Sequence, residues 1–375
     1  MSGTAVSFDV CVVGAGPTGF VLALVLARHG WRVAVLERGN GTDPRWERVS
    51  PYLSPPTLAV FNGLGLSDAI EPHGTPVYGV LEQLADGSAS TVRTGRTLSV
   101  PLSSLSAAVR SALARRPSAT VLSGVSVTAV TGHGVVLADG RRLGCRYVVS
   151  AEGSSSRLRE LAGIRADRVP FHRPLAMVQV VADPPDRVHA HHVGAGLLTV
   201  IPLAAGRVIV QYTAAPGDTA TVRAAAVRSL PGLVADAVPE LARPVAAAVT
   251  DPARVLVLRH EAVLPRSWYR GRVALIGDAA HGVHSFAGQG LNLGVQDAMV
   301  LAHSLIREEQ PLPVYERSRK PVTESFQRYQ LSLPQLASPQ GATWPAAPVY
   351  PPLADLMTAG HPEAAACRRW LLGGR

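Results

Sequence analysis

The chain has 375 residues, and at roughly 150 residues per domain that length predicts two domains. It is 47% hydrophobic and 17% charged, with 35 Gly, 30 Pro and 3 Cys, which excludes a fibre, a disordered chain and a disulfide scaffold. The net charge of +9 is almost all arginine, since Lys320 is the only lysine, and the arginines are scattered rather than gathered into a stripe, so no nucleic-acid partner is expected.

Along the chain, Val10 to Ala27 carries no charge and nears the length of a membrane span. Asp9 precedes it where a signal peptide would carry a cation, and Gly14-Ala15-Gly16-Pro17-Thr18-Gly19 interrupts it. No membrane segment is expected; the run resolves instead into a strand over Phe8 to Val13, a GxGxxG turn and a helix over Phe20 to His29. Gly30 stands where a helix stop belongs, and Trp31 to Leu36 returns as a second strand closing on Glu37. Strand, glycine turn, helix, strand and acid in this order, with the acid about 20 residues beyond the turn, make a dinucleotide-binding unit. Gly14 permits the tight turn, Gly16 lets backbone approach a pyrophosphate, and Gly19 lets helix pack on strand. The unpaired N–H groups of the helix start face the phosphates, and Glu37 accepts the ribose hydroxyls. This turn does not by itself separate FAD from NAD.

Further on, Asp139-Gly140 signals a hairpin, Arg146 to Ser150 reads as a buried strand, and Glu152-Gly153 opens a Ser-rich turn into a helix. Residues 76–100 and 171–259 lack dinucleotide motifs and alternate like open-sheet strands. Within them Arg187 to Val193 places His189 and His191 on one face and His192 on the other, as in a solvated or edge strand. No acid or cysteine completes a ligand set nearby, so no metal is expected. Gly206 to Thr213 is another strand, with Gln211 and Tyr212 on opposite faces as candidate ligand contacts. His172 and His260 offer only their positions. Gly194-Ala195-Gly196 opens no βαβ unit, so a second nucleotide domain is not expected. Val273 to Ile276 reads as a buried strand ending in Gly277-Asp278. The loop that follows holds His281, His284 and Gly288-Gln289-Gly290, and opens a helix over Leu291 to Ile306. His281 and His284 are candidates for a substrate-side role. The last stretch, 331–375, is Pro-rich (Pro334, Pro339, Pro345, Pro348, Pro351 and Pro352) and too short for a further domain.

On these motifs the chain resembles the single-component FAD-dependent aromatic hydroxylases, the group that contains p-hydroxybenzoate hydroxylase. The resemblance rests on the GxGxxG turn with Glu37, on Glu152, Gly153, Ser156 and Arg159, and on Gly277, Asp278, His281, Gly288, Gln289, Gly290, Asn292, Gly294 and Asp297. Tyr315-Glu316-Arg317 to Pro321 also looks like the segment after that helix, so the likeness runs over residues 8–330. It implies an α/β fold: a discontinuous Rossmann-like FAD domain (1–75, 101–170 and 260–330), a second α+β substrate domain on an open sheet (76–100 and 171–259), and a tail. It implies FAD held by Gly14, Gly16, Gly19, Glu37, Arg38, Arg48, Gly277, Asp278, Gly288, Gly290, Leu291 and Asn292. It also implies NAD(P)H as a transient co-substrate and oxygen transfer through a flavin C4a-hydroperoxide to a hydrophobic or aromatic small molecule.

Three positions depart from the family pattern: Glu152 for Asp, Ser285 for Pro, and Leu102 for an arginine. They keep alternatives open, namely a non-oxygenating cyclase or reductase on the same scaffold, or a non-catalytic flavin-binding protein. The leading expectation is a cytoplasmic FAD monooxygenase in antibiotic biosynthesis, a tailoring enzyme of bacterial secondary metabolism.

Overall fold

The computed structural model describes residues 7–40, 44–84, 86–194, 196–333, 336 and 361–373. Among them the strands form two eight-stranded sheets and one two-stranded ribbon. The first sheet is centred on Ser7–Val13, which pairs in parallel with Val33–Glu37 on one side and Arg142–Ser150 on the other. Ala119–Ser123 and Val273–Leu275 extend the parallel run at either end. Val10, Cys11, Val12, Val33 and Val35 are fully buried, because helices or loops cover both faces, and this is why these strands read as continuous apolar runs.

The first helix is Pro17–Arg28, starting at Pro17 rather than Phe20 because a proline at the first helical position gives up an N–H that has no partner there. Its residues Phe20 to Ala27 are all buried, between the Leu102–Ala114 and Gly290–Arg307 helices. At about 1.5–3 kcal/mol per large apolar side chain, this packing adds to the helix propensity of its leucines and alanines. The Asp139-Gly140 hairpin forms between Gly134–Leu137 and Arg142–Ser150. Gly140 supplies φ +84, and Asp139 Oδ1 accepts the Arg141 N–H at 3.0 Å.

The second sheet takes its strands from Thr75–Gln83, Ala89–Ser99 and the stretch from Leu175–Val181 to Leu256–Leu258, with Tyr52–Leu53 at one edge. Helices Thr219–Ala237 and Ala242–Val249 cover one face, closing a core around Val178, Leu198, Val210, Leu230 and Val245. The other face looks onto the 277–291 loop. Val188–Val193 is an interior strand here, paired with Gly196–Leu203 and with Thr75–Gln83, which corrects the expectation of a solvated edge. Alternation marks a strand but does not count its neighbours. His191 is buried and its ring centroid lies 6.3 Å from that of His189, while no metal-ligating cluster occurs among the described residues.

The C-terminal helix Pro362–Leu372 packs on the Gly290–Arg307 helix, with Trp370 stacked on His29 at 5.7 Å and edge-on to His303 at 5.1 Å. The prolines from Pro334 to Pro352 lie outside the described residues. No helix among the described residues is long and apolar enough to cross a membrane.

Candidate functional site

The three glycines of the first turn have separable roles. Gly14 has φ +106, and a Cβ there would lie 2.4 Å from the Ala151 carbonyl oxygen; a Cβ on Gly19 would lie 2.4 Å from the Gly14 oxygen. Gly16 has an ordinary φ of -74, and a Cβ on it would meet no atom of the described residues within 4 Å. Two glycines are therefore demanded by the fold, and the third keeps space open at a helix start that has no side-chain cap. Glu37 ends the next strand with Oε2 accepting the Ala15 N–H at 2.9 Å and Oε1 the Gly39 N–H at 2.7 Å, so its carboxylate is fixed beside the turn. Arg38 is exposed. Arg48 donates to the carbonyls of Ala253, at 3.2 Å, and Arg254, which ties it to the turn before the Leu256–Leu258 strand.

Glu152 is absorbed in a local network. Its Oε2 accepts from the Ser156 hydroxyl at 2.9 Å and from the Leu158 N–H at 2.7 Å, while Ser156 caps the Arg157–Leu161 helix through the Arg159 N–H. The buried Arg159 then donates to the Ala279 carbonyl at 2.9 Å, joining this motif to the one after Val273–Leu275. The acid that departs from the family pattern thus acts here at a helix start, where negative charge is favoured.

The third motif builds a strained turn above a buried clamp. Gly277 turns with φ +59, and its N–H donates to Asp297 Oδ2 at 3.0 Å. Asp297 also accepts from His281 Nε2, and from Arg319 Nε at 2.8 Å, all three side chains being fully buried. Burial alone would raise the Asp297 pKa, but the charges and hydrogen bonds of His281 and Arg319 outweigh it and hold the carboxyl below its usual range. Ala287 and Gly288 follow with φ +69 and +62, and an alanine in that region costs about 1–3 kcal/mol. Asn292 fixes the turn from below, donating to the carbonyls of Gly288 and Tyr52 and accepting the Ser54 N–H. Asp278 sits deep among protein atoms, yet its side chain opens into a cavity and reaches solvent through it. Desolvation raises its pKa above the ordinary carboxylate value.

That cavity has a volume of about 550 Å³ and lies between the 283–291 loop and the open face of the second sheet. Its walls are mostly apolar, with Val80, Val188, Ile201, Ile209 and Leu291 among them, and Leu102 and Ser285 also face it. Gln211 lines it, whereas Tyr212, His281 and His284 do not, and these three expected contacts are corrected. Tyr212 points to the helix-covered face and donates toward the Val193 carbonyl at 3.5 Å. His281 is held in the Asp297 clamp under Trp268, and His284 is buried, its Nδ1 accepting the Phe286 N–H. A loop without periodicity gives no sign of which way its side chains turn. His260, which offered nothing beyond position, lines the cavity, and burial pushes its imidazole down to about 4. It lies between the Leu256–Leu258 and Glu261–Pro265 strands, and nothing in the sequence around it pointed toward the cavity.

Comparison with known proteins follows the same motifs. A family model described as FAD binding domain matches residues 7–328. The protoasukamycin 4-monooxygenase of Streptomyces nodosus subsp. asukaensis is 31% identical over 96% of this chain and 95% of its own. A 6-methylpretetramide 4-monooxygenase of Streptomyces rimosus is 29% identical over 86% of this chain and 82% of its own. The crystal structure of PqsL, a probable FAD-dependent monooxygenase from Pseudomonas aeruginosa, superposes with a TM-score of 0.76 at 26% identity, covering 87% of this chain and 95% of that one. The residues present fit FAD. Among the described residues no atom fills the space beside Gly16, and the buried Tyr52 and Ser285 hydroxyls on the cavity wall find no partner.

Proposed function

As the chain belongs to the FAD-binding-domain family of flavoprotein aromatic hydroxylases, we propose that it uses NAD(P)H and O2 to hydroxylate or epoxidise a hydrophobic or aromatic small molecule. The observation that carries this reading is the apolar cavity of about 550 Å³ that runs from Asp278 and Gly288 to the second sheet. Its end at Asp278 and Gly288 would seat the flavin, and its end against the second sheet would take the substrate. FAD, when bound, supplies the acceptance of hydride and the activation of oxygen.

The chain's own residues bind, orient and exclude water. The start of the Pro17–Arg28 helix and Glu37 would hold the pyrophosphate and ribose, and Asp278 the ribityl hydroxyls. Backbone N–H groups of the Gly288–Gly290 turn would meet the pyrimidine edge. There the dipole of the Gly290–Arg307 helix favours negative charge. Arg38 and Arg48 are the candidate phosphate contacts. The apolar wall keeps bulk water from the reacting ring, and the neutral His260 imidazole has, among the described residues, no partner for its Nδ1.

By likeness to the two Streptomyces enzymes, the reading extends to tailoring of an aromatic secondary metabolite in the cytoplasm, to which the free cysteines Cys11, Cys145 and Cys367 are suited. The FAD-holding part is drawn from 1–75, 101–170 and 260–330, and the substrate part from 76–100 and 171–259.

The test is to purify the yellow protein and follow NADH and NADPH oxidation with O2 uptake, with and without polycyclic phenols. Substrate-stimulated oxidation of one nucleotide with product gain of one oxygen is expected. A product formed with no nucleotide or O2 consumed would replace this reading with the cyclase. Bound flavin that neither nucleotide reduces, with no product, would leave a binding protein.

A further inference from the structure

The register of the second sheet sets a polar row across a mostly apolar cavity floor, to which the Ala89–Ser99 strand adds Thr94 and Thr97. Glu82 pairs with Ala190, Ala190 with Thr199, Thr199 with Gln211, and Gln211 with Met177. Residues directly opposite in register point to the same face, and all five line the cavity. On that face the neighbouring pairs Val80 with Val188 and Ile201 with Ile209 are apolar, while His192, paired with Leu197, stands beside Glu82.

The row presents acceptors at Glu82 and Gln211, alongside the Thr199 O–H and the second Gln211 N–H as donors. Gln211 Nε2 donates to Thr199 Oγ1 at 3.3 Å, which leaves the amide oxygen pointing its lone pairs elsewhere. Glu82 Oε1 takes a 2.8 Å hydrogen bond from His192 Nε2, which fixes the carboxylate and leaves its second oxygen as an acceptor. Among the described residues lining the cavity none is arginine or lysine, and His260 carries no charge near neutral pH. An anionic ligand would therefore enter without a counter-ion and face Glu82, and an unpaired charge in an apolar site is costly. The Glu82 side chain is 40% exposed, so solvent screens part of this repulsion.

Resting on the monooxygenase reading, we propose that the row Glu82, Thr199 and Gln211 determines specificity, admitting an aromatic ring that carries phenolic O–H or amine N–H donors and rejecting a ring that carries a carboxylate. Glu82 and Gln211 accept the donors at the far side of the ring from Asp278 and Gly288, which sets the carbon presented for oxidation.

The test uses the oxidised FAD holoenzyme without nicotinamide, reading binding from the visible flavin spectrum. Titration with 2-naphthol, 2-methoxynaphthalene and 2-naphthoate varies one group on a constant ring. The expected order is 2-naphthol tightest, with 2-naphthoate weaker by about tenfold. Glu82→Gln, which keeps size and the bond from His192, should narrow that gap to about threefold by improving 2-naphthoate. Gln211→Leu should weaken 2-naphthol by about fivefold and leave 2-methoxynaphthalene unchanged. FAD content and Tm of each variant serve as folding controls. Equal binding of naphthol and naphthoate, no spectral response to any ring, or variants that shift all three ligands alike would overturn the assignment. A protein that binds in the expected order yet never oxygenates would instead overturn the monooxygenase reading and leave the row in place.

Discussion

Gly16 separates ligand from fold more cleanly than its motif partners do. A Cβ on Gly16 meets no atom of the described residues within 4 Å, whereas on Gly14 or Gly19 it meets backbone at 2.4 Å. Gly16→Ala is therefore expected to leave the apoprotein's Tm within about 2 °C of wild type while weakening FAD binding at least tenfold, and Gly14→Ala to lower Tm outright. Differential scanning fluorimetry with a flavin-quenching titration checks both; an unchanged FAD affinity for Gly16→Ala would contradict the role given to that space. His260 makes a second residue-level prediction. Burial holds its pKa at about 4 against 6.5 in the unfolded chain, so between those values the unfolded chain binds a proton that the folded chain refuses. Stability is then full above pH 6.5 and falls as pH drops toward 4, by on the order of 1–2 kcal/mol at pH 5. His284 shifts the same way, while the raised Asp278 opposes both. Denaturant midpoints at pH 7.5 and 5.0 should differ less in His260→Gln than in wild type. The glycine roles were legible in the sequence because sterics assign each a distinct job. The histidines were not, since facing a cavity or a core depends on which side of a loop or strand is covered.

At the scale of elements, the Ser285–Gly290 turn and the clamp beneath it hold the site's shape. Ser285 departs from proline in type but not in conformation, with φ -70 and ψ -6. The missing ring therefore costs only unfolded-state entropy, and the Ser285 hydroxyl is buried with no partner among the described residues. Ser285→Pro is expected to stabilise by about 0.4–1 kcal/mol and to keep FAD bound, measured by denaturant titration. Asp297 is a heavier dependency, joining Gly277, His281 and Arg319 across three elements. Asp297→Asn leaves Arg319 charged and buried, and should cost about 3–5 kcal/mol. Adding Arg319→Met to it should recover part of that loss, and a double variant as unstable as the single would contradict the clamp. The strands beside the glycine motifs, the 139–140 hairpin and the helices Pro17–Arg28 and Gly290–Arg307 were legible from apolar runs and turn residues, whereas Thr219–Ala237 falls in a stretch read as strands. The clamp was not, because Asp297 and Arg319 lie on different helices and only packing brings them together.

For the whole molecule, the cavity lies between the open sheet around Gly196–Leu203 and the 278–291 segment that follows the parallel sheet around Ser7–Val13, and the chain passes between the two sheets more than once. The α/β class followed from a glycine turn set between buried strands. The cavity lining did not, since it is assembled from stretches as far apart as Val49 and Leu291 that only tertiary packing joins. The central claim is that an apolar chamber beside a flavin seat transfers oxygen to an uncharged aromatic ring. Its most direct test is a single-turnover reaction of the holoenzyme with NAD(P)H, a polycyclic phenol and 18O2, read by mass spectrometry of the product. One 18O atom in the product is the result expected; product that carries none, or that takes its oxygen from 18O-labelled water, would contradict the account.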